Sequence, residues 1–242
     1  MGNFQKGKPI AGRRHFDGER SGPPGKLPPR TILVGRDIAT ENLVPGQTVY
    51  DEDLVKRDGL EYRKWNPKKS KLCAAILKGM DIHISEDFLT LYLGVSSGTT
   101  ASHVSDICRT GMIFGIDPAQ RVMRDFYMLS KKRANLAPIF GGAEFPEKYS
   151  SIVPKVDFVY QDVAQRAQAE IFLKNCKAFL KKNGRGLLMV KARSIDVRKV
   201  PAHVFSEVKK KLEAGGMKIL QERRLEPFER DHIAFYCGFV SK

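Results

Sequence analysis

The stretch LYLGVSSGTTASHVSD, residues 91–106, decides the fold class of this chain. An apolar run over residues 89–95 predicts a buried strand, which breaks at the Ser-Ser-Gly of residues 96–98. Residues 99–103 are then typical of the start of a helix. A strand, a tight glycine-containing turn and a helix start form the type of site at which an α/β sheet binds a nucleotide-like cofactor. The stretch therefore favours an enzyme with a cofactor pocket.

The turn carries hydroxyl side chains where a pyrophosphate site would present bare backbone. Gly94 and Gly98 flank the turn, and glycine lets the backbone approach a ligand closely. Asp117 follows about 20 residues later, where an acidic side chain accepts hydrogen bonds from a ribose diol. This spacing also fits a nicotinamide or flavin dinucleotide, or an ordinary turn followed by a surface aspartate. Because the turn is GVSSGTT and not GxGxxG, a ligand without phosphates, such as S-adenosylmethionine (SAM), fits better.

From residue 89 onward, predicted strands alternate with predicted helices. The strands are expected at 89–95, 112–117, 136–140, 156–161, 186–191, 217–222 and 233–240, and the helices at 102–108, 119–133, 166–182 and 202–214. A further helix is expected at 70–79. This order predicts a mostly parallel sheet with helices on both faces. The short charged turn LEPFERDH between the last two strands predicts an antiparallel hairpin at one edge.

Composition divides the chain into three parts. Residues 1–30 are rich in Gly, Pro and Arg and predict a basic, flexible tail. Residues 31–68 alternate apolar and polar side chains between turn signals, which predicts a small N-terminal antiparallel β domain. Residues 69–242 form the α/β domain. We expect no secretory segment and no membrane span, since no apolar run approaches about 18 residues.

Cysteine usage and charge limit the partners that can be expected. The four cysteines are scattered without a CxxC pair, so we expect reduced thiols and no structural zinc: Cys73, Cys108, Cys176 and Cys237. Lys and Arg total 42 against 27 Asp and Glu, a formal net charge of +15. An excess of this size favours a polyanionic partner, above all nucleic acid, over a surface tuned only for solubility.

Two further polar residues leave the same predicted sheet edge. Asp162 follows the fourth strand of the α/β domain and Lys191 ends the fifth. Both side chains would enter the crevice in which such sheets bind ligands. They are interpreted either as an acid–base pair or as a structural ion pair.

Six ordered motifs make the chain resemble the fibrillarin family, box C/D RNA-guided ribose 2′-O-methyltransferases. The motifs are IATENLVPGQTVY, EYRKWNPKKSKLCAAIL, YLGVSSGTTASHVSDI, VDFVYQDVAQ, KARSIDV and LEPFERDH. The resemblance implies a class I SAM-dependent methyltransferase, with a Rossmann-like, mostly parallel seven-stranded sheet and a small N-terminal β domain. It implies a guide RNA, an rRNA or tRNA target, a scaffold protein and, through it, a kink-turn-binding protein, with no membrane. The motifs look more archaeal than eukaryotic, which implies the cytoplasm; a eukaryotic protein would be nucleolar.

The resemblance also implies the site residues. The residues that would bind SAM are Gly94, Thr99, Thr100, Asp117, Pro118, Gly142, Ala143, Asp162, Val163, Ala164 and Gln165. The residues that would surround the target hydroxyl are Lys71, Asp162, Lys191 and His232. We expect Lys191, with a pKa lowered by burial or by cationic neighbours, to take the proton, and Asp162 to orient Lys191. Lys71 and His232 would stabilise charge or hold the adjacent phosphate, although His232 also fits a structural role, and His103 is expected to pack.

The chain departs from the family pattern at three places. Asp117-Pro118 stands where the family often has Glu-Phe, and Gly142 stands where it has an Asp near the adenine. Glu144 is a candidate substitute for that carboxylate, and Arg166 replaces a Pro. These departures leave two alternatives: a non-catalytic RNA-binding or assembly subunit that keeps the fold, and a standalone methyltransferase acting on tRNA or protein.

Overall fold

A computed structural model describes residues 23–240 and contains two sheets. The N-terminal sheet is antiparallel in the order β1-β2-β4-β3. Its strands are β1 (Thr31–Val34), β2 (Asp37–Glu41), β3 (Leu54–Arg57) and β4 (Leu60–Trp65). The left-handed residues Gly35 and Gly59 close its two hairpins. This sheet is the small β domain that the turn signals predict.

The second sheet has seven strands in the order β10-β11-β9-β8-β5-β6-β7. The strands are β5 (Leu89–Leu93), β6 (Met112–Asp117), β7 (Leu136–Phe140), β8 (Val156–Gln161), β9 (Leu180–Lys191), β10 (Met217–Arg224) and β11 (His232–Phe239). The strands from β9 to β7 run parallel, and β10 and β11 add an antiparallel hairpin at the β9 edge. The predicted sheet and its edge hairpin are confirmed.

Helices cover both faces of this sheet, as predicted. They are α1 (Lys71–Leu77), α2 (Thr99–Ile107), α3 (Gln120–Ser130), α4 (Gln168–Phe179), α5 (Ala192–Ile195) and α6 (Pro201–Ala214), with a 3-10 helix at Pro146–Tyr149. One buried core contains Leu72 of α1 and Phe126 of α3. The other contains Phe172 of α4 and Val204 of α6. The apolar strands are buried between these two cores, which is why they read as continuous hydrophobic runs.

The main differences from the predicted elements lie at their ends. Helix α2 begins at Thr99 and not at 102, because Gly98 adopts a left-handed φ of +93° and lets the helix start at once. Helix α4 ends at Phe179, and β9 begins at the next residue. The early start of β9 follows from pairing of Leu180 with Val156, before a register shift leads into the main ladder.

The end of the predicted tail is packed on the protein. The amide of Gly25 donates to the Ile76 carbonyl at 2.8 Å, and the amide of Lys26 donates to the Asp81 carboxylate at 2.6 Å. A Cβ at Gly25 would lie 2.1 Å from the Met80 carbonyl oxygen, so the close approach requires glycine. The expectation of a loosely attached segment is therefore wrong for residues 23–30. Residues 1–22 lie outside the described part of the chain.

A buried ion network joins the N-terminal sheet to the large domain. Asp106 of α2 accepts from Arg63 of β4 at 2.9 Å and from Arg133 at 2.6 Å. All three side chains are at most 2% exposed. Arg63 also pairs with Glu52. Burial raises the pKa of the Glu52 carboxyl, but the Arg63 charge and hydrogen bonds from backbone amides together outweigh burial and lower it. The network fixes α2, and with it the glycine turn, against the small domain.

Among the helices of residues 23–240, none has the length and apolar character that crossing a bilayer requires.

Candidate active site

The glycine turn after β5 brings two strand ends into contact. Gly94 has a φ of +80°, and a Cβ there would lie 2.5 Å from the carbonyl oxygen of Asp162. Only a residue without a side chain lets the turn and the segment after β8 approach so closely. Gly94 thus sets the position of Asp162, besides any contact with a ligand.

Asp117 is held beside this turn with both carboxylate oxygens fixed. The amide of Ser96 donates to one oxygen and the amide of Ala119 to the other, each at 2.9 Å. The side chain leaves the end of β6 and is largely buried. Each carboxylate oxygen retains capacity to accept a further hydrogen bond, so a pair of ribose hydroxyls fits this group. The adjacent Pro118 is exposed.

The two threonines that open α2 have different environments. Thr99 is half-buried, whereas Thr100 is only 6% exposed. The Thr100 hydroxyl donates to the Ser70 hydroxyl at 2.9 Å, and Ser70 caps α1 through the amide of Cys73. The Thr100 hydroxyl thereby joins α2 to the start of α1, and its place at the methionine end of SAM stays a prediction.

Gly142 and Ala143 follow β7, the strand next to β6. The amide of Gly141 donates to the Asp117 carbonyl at 3.2 Å, which places this loop beside the Asp117 turn. The Ala143 carbonyl accepts from the buried Asn175 side chain at 2.8 Å and from the Tyr149 hydroxyl at 3.3 Å. Buried hydrogen-bond donors of the protein core thus hold this loop in place.

Lys71 and Asp162 form an ion pair across 91 residues of sequence. The Lys71 Nζ atom lies 2.8 Å from Asp162 Oδ2, and the side chains are 20% and 24% exposed. The expectation that Asp162 orients Lys191 is corrected, since the carboxylate contacts Lys71 instead. Lys71 reaches it because Ser70 starts α1 at that point.

Lys191 ends β9 on the same sheet edge, with its side chain exposed. The expected burial of this amine is therefore not found. Its backbone is fixed on both sides by Gln168: the Lys191 amide donates to Gln168 Oε1 at 3.1 Å, and Gln168 Nε2 donates to the Lys191 carbonyl at 3.4 Å. Sequence reasoning missed Gln168, a fully buried amide at the start of α4. Gln165, Arg166 and Glu170 lie close to it in the sequence, and this mostly polar stretch gave no signal of burial.

His232 lies directly opposite Lys191 in the pairing of β11 with β9. It is 5% exposed, and its Nδ1 atom lies 2.6 Å from the Arg230 carbonyl. Because a carbonyl only accepts, Nδ1 carries the proton and Nε2 is left as an acceptor. Burial lowers the pKa of His232, and the Lys71 charge lowers it further. His232 is therefore neutral at pH 7, which makes it a hydrogen-bonding group and not a cation.

The remaining predicted residues line the segment between β8 and α4. Val163 and Gln165 are half-buried and Ala164 is exposed. The structure thus gathers the loops after β5, β6, β7, β8 and β9 at one carboxyl edge, where open α/β sheets bind ligands.

This architecture and site define the class of the protein: it has the fold of the class I SAM-dependent methyltransferases. Within that class the chain belongs to the fibrillarin family, whose family model matches residues 33–241. The fibrillarin-like rRNA/tRNA 2′-O-methyltransferase of Methanocaldococcus jannaschii is 52% identical over 199 residues, 82% of this chain and 86% of the relative.

Two solved structures resemble the chain over most of its length. Aeropyrum pernix fibrillarin, in complex with natively bound SAM, is 48% identical with a TM-score of 0.76, and the match covers 83% of this chain and 88% of that one. Fibrillarin from a fibrillarin/Nop5p complex is 39% identical with a TM-score of 0.83, covering 89% and 100% of the two chains. The family expected from the sequence motifs is confirmed.

Proposed function

We propose that this protein transfers the methyl group of SAM to a ribose 2′-hydroxyl of rRNA or tRNA. The M. jannaschii relative carries this activity in its name, and the A. pernix relative was solved with SAM. The observation that carries the proposal for this chain is the meeting of Lys71, Asp162, Lys191 and His232 at the sheet edge that also holds Asp117. We propose that the substrate hydroxyl enters beside these four residues.

The residues present fit SAM. Asp117 is fixed by two backbone amides and retains acceptor capacity for the ribose diol. Gly94, Thr99 and Asp162 border the adjoining end, where a carboxylate suits the positive sulfonium. When bound, SAM supplies an electrophilic methyl carbon activated by that sulfonium.

The chain's own residues then prepare the ribose hydroxyl. Lys191 is exposed on this sheet edge and is the residue that we propose takes the 2′-hydroxyl proton. Asp162 holds the Lys71 ammonium in place, and this cation stabilises the oxygen or the adjacent phosphate. The neutral His232 offers Nε2 as an acceptor beside Lys191. Alignment of hydroxyl, methyl and sulfur within this group supplies much of the rate enhancement.

The surface next to the site suits an RNA backbone. A cavity of about 280 Å³ follows β9 and is lined by Arg166, Arg193 and Arg198, with Asp196 as its acidic member. Together with the net charge of +15, these guanidinium groups favour phosphate contacts. We propose that a box C/D guide RNA selects the target by base pairing. A scaffold protein like Nop5p, and through it a kink-turn-binding protein, would place the enzyme in an archaeal cytoplasm.

The test is methylation of a guide-complementary RNA by the assembled particle, comparing wild type with Lys191→Ala. We expect Lys191→Ala to abolish transfer while S-adenosylhomocysteine binds with near wild-type affinity in calorimetry. Lys210, an exposed lysine of α6, provides a matched control, and Lys210→Ala should transfer at the wild-type rate. Retained turnover in Lys191→Ala would contradict the assignment.

The same assay separates the alternatives. Methylation without guide RNA would indicate a standalone enzyme. Undetectable binding of SAM by both the isolated chain and the assembled particle would indicate a non-catalytic subunit.

A further inference from the structure

The loop after β7 carries a carboxylate in an unusual position. The amide of Phe145 donates to the Gly142 carbonyl at 3.2 Å, which closes a tight turn with Glu144 inside it. The Glu144 side chain folds back over Gly142: a Cβ built on Gly142 would lie 2.6 Å from Glu144 Oε2 and 3.0 Å from Oε1. The carboxylate therefore occupies the space that a side chain at position 142 would need.

This carboxylate lacks a donor on one side. Glu144 Oε2 is buried and accepts no hydrogen bond from any residue within 23–240. A buried carboxylate oxygen without a donor is costly, and the backbone of its turn is held by the Asn175 side chain, which donates to the Ala143 carbonyl. Glu144 as a whole is only half-buried, so its carboxylate is also open to a donor that arrives with a ligand.

The position of the loop indicates which group that is. Asp117 Cα pairs with Phe140 Cα across β6 and β7, so the Glu144 turn begins next to the carboxylate that fits the ribose. A base attached to a ribose held there would lie beside this turn. We propose that Glu144 accepts a hydrogen bond from the exocyclic amino group of the adenine of SAM. The proposal rests on the proposed function, and it assigns base recognition to Glu144 in a chain with glycine at position 142.

The test compares two ligands on the purified full-length protein by calorimetry. The first is S-adenosylhomocysteine, and the second is its analogue with unsubstituted purine, in which hydrogen replaces the amino group. We expect wild type to bind the purine analogue about 10- to 100-fold more weakly, the effect of one hydrogen bond to a charged acceptor. Equal affinity of wild type for the two ligands would overturn the proposal without needing any variant.

Variants then assign the effect to Glu144. Glu144→Ala should bind S-adenosylhomocysteine about 10- to 100-fold more weakly and lose the discrimination between the two ligands. The double variant Gly142→Asp/Glu144→Ala returns a carboxylate to the same space from the other residue, and should recover both. Glu147→Ala, at an exposed position of the neighbouring 3-10 helix, is the control and should match wild type.

The outcomes remain distinguishable from failure of the proposed function. If wild type binds neither ligand, the SAM assignment itself fails. If wild type binds S-adenosylhomocysteine and Glu144→Ala discriminates as wild type does, only the role of Glu144 fails.

Discussion

At the scale of single residues, side chains of the same type have different roles in this protein. Asp117 is fixed by two amides and keeps acceptor capacity for a ligand. The Asp106 carboxylate instead forms buried ion pairs with Arg63 and Arg133. Thr99 lies at the turn surface, whereas Thr100 bonds Ser70 inside the protein. The residue type shows that polar chemistry is present, and burial decides whether it faces ligand or scaffold.

His103 shows the structural role most clearly. It is completely buried, with Nδ1 2.7 Å from the Thr40 hydroxyl and Nε2 2.6 Å from the Tyr50 hydroxyl. It also stacks on Trp65 with ring centroids 4.9 Å apart. The expectation that His103 packs is thus confirmed. Burial, together with the Arg63 and Arg133 charges, holds its pKa well below 6.5.

This lowered pKa predicts a pH-dependent stability. Below pH 6.5 His103 is protonated in the unfolded chain but not in the folded protein. The free energy of unfolding therefore decreases as the pH is lowered. The loss amounts to about 1.4 kcal/mol for each pH unit at most, until the folded pKa is reached. We expect His103→Gln to be destabilised at pH 7.5 but to lose less stability than wild type on going to pH 5.5, as measured by urea unfolding.

The exposed His203 of α6 supplies the control for this measurement. His203→Gln should follow the wild-type pH slope. A wild-type slope in His103→Gln as well would show that the buried imidazole does not contribute.

At the scale of elements, the buried Asp106 network joins the small sheet to α2. Four donors converge on this carboxylate: Arg63, Arg133, the Thr40 hydroxyl and the Leu43 amide. Breaking a buried pair leaves uncompensated charge, which costs far more than the pair contributes over an apolar substitute. A single substitution in this network is therefore expected to destabilise the contact between the two domains.

We expect Asp106→Asn to lower the free energy of unfolding by about 3–5 kcal/mol, because the buried Arg133 loses its counter-charge and the buried Arg63 is left with Glu52 alone. The matched control is Asp53→Asn, which removes the 3.0 Å pair with Lys64 from a carboxylate that is 74% exposed. That change should cost less than about 1 kcal/mol. Urea unfolding of both variants gives the comparison, and equal small losses would contradict a structural role for the network.

At the scale of the whole molecule, the charge of the protein supports the proposed contact with RNA. The formal net charge is +15, and arginines line the cavity that follows β9. Binding that depends on phosphate contacts releases counterions, so the affinity falls as salt rises. In the proposed function, the carboxyl edge of the sheet binds the cofactor, and the charged surface beside it attracts the RNA backbone without selecting a sequence.

We expect the affinity for a guide–target RNA to fall with salt, by about 0.7–0.9 in log affinity per log salt for each phosphate contact. Arg166→Ala should reduce the magnitude of this slope by the amount that about one phosphate contact contributes. Fluorescence anisotropy between 50 and 200 mM salt, about the range over which the effect is large, measures it. Binding of S-adenosylhomocysteine, which lacks phosphates, should be nearly flat over the same series. An RNA affinity that is equally flat would contradict the electrostatic interpretation.

The sequence by itself determined the order of strands and helices, because apolar runs and glycine turns act over neighbouring residues. The stretch from β5 to α2 and the carboxylates Asp117 and Asp162 at strand ends were all identifiable in this way. The ordered motifs also sufficed to indicate the fibrillarin family.

Only the tertiary structure decided which polar groups meet. Lys71 and Asp162 pair because β5 and β8 are neighbours in the sheet and α1 starts above them. The engagement of Thr100 with Ser70 and the folding of Glu144 over Gly142 likewise depend on packing between distant or tightly turned segments. Local patterns encode backbone conformation and burial. The partner of a buried polar atom is set by the close packing of the whole core, which no single stretch of sequence contains.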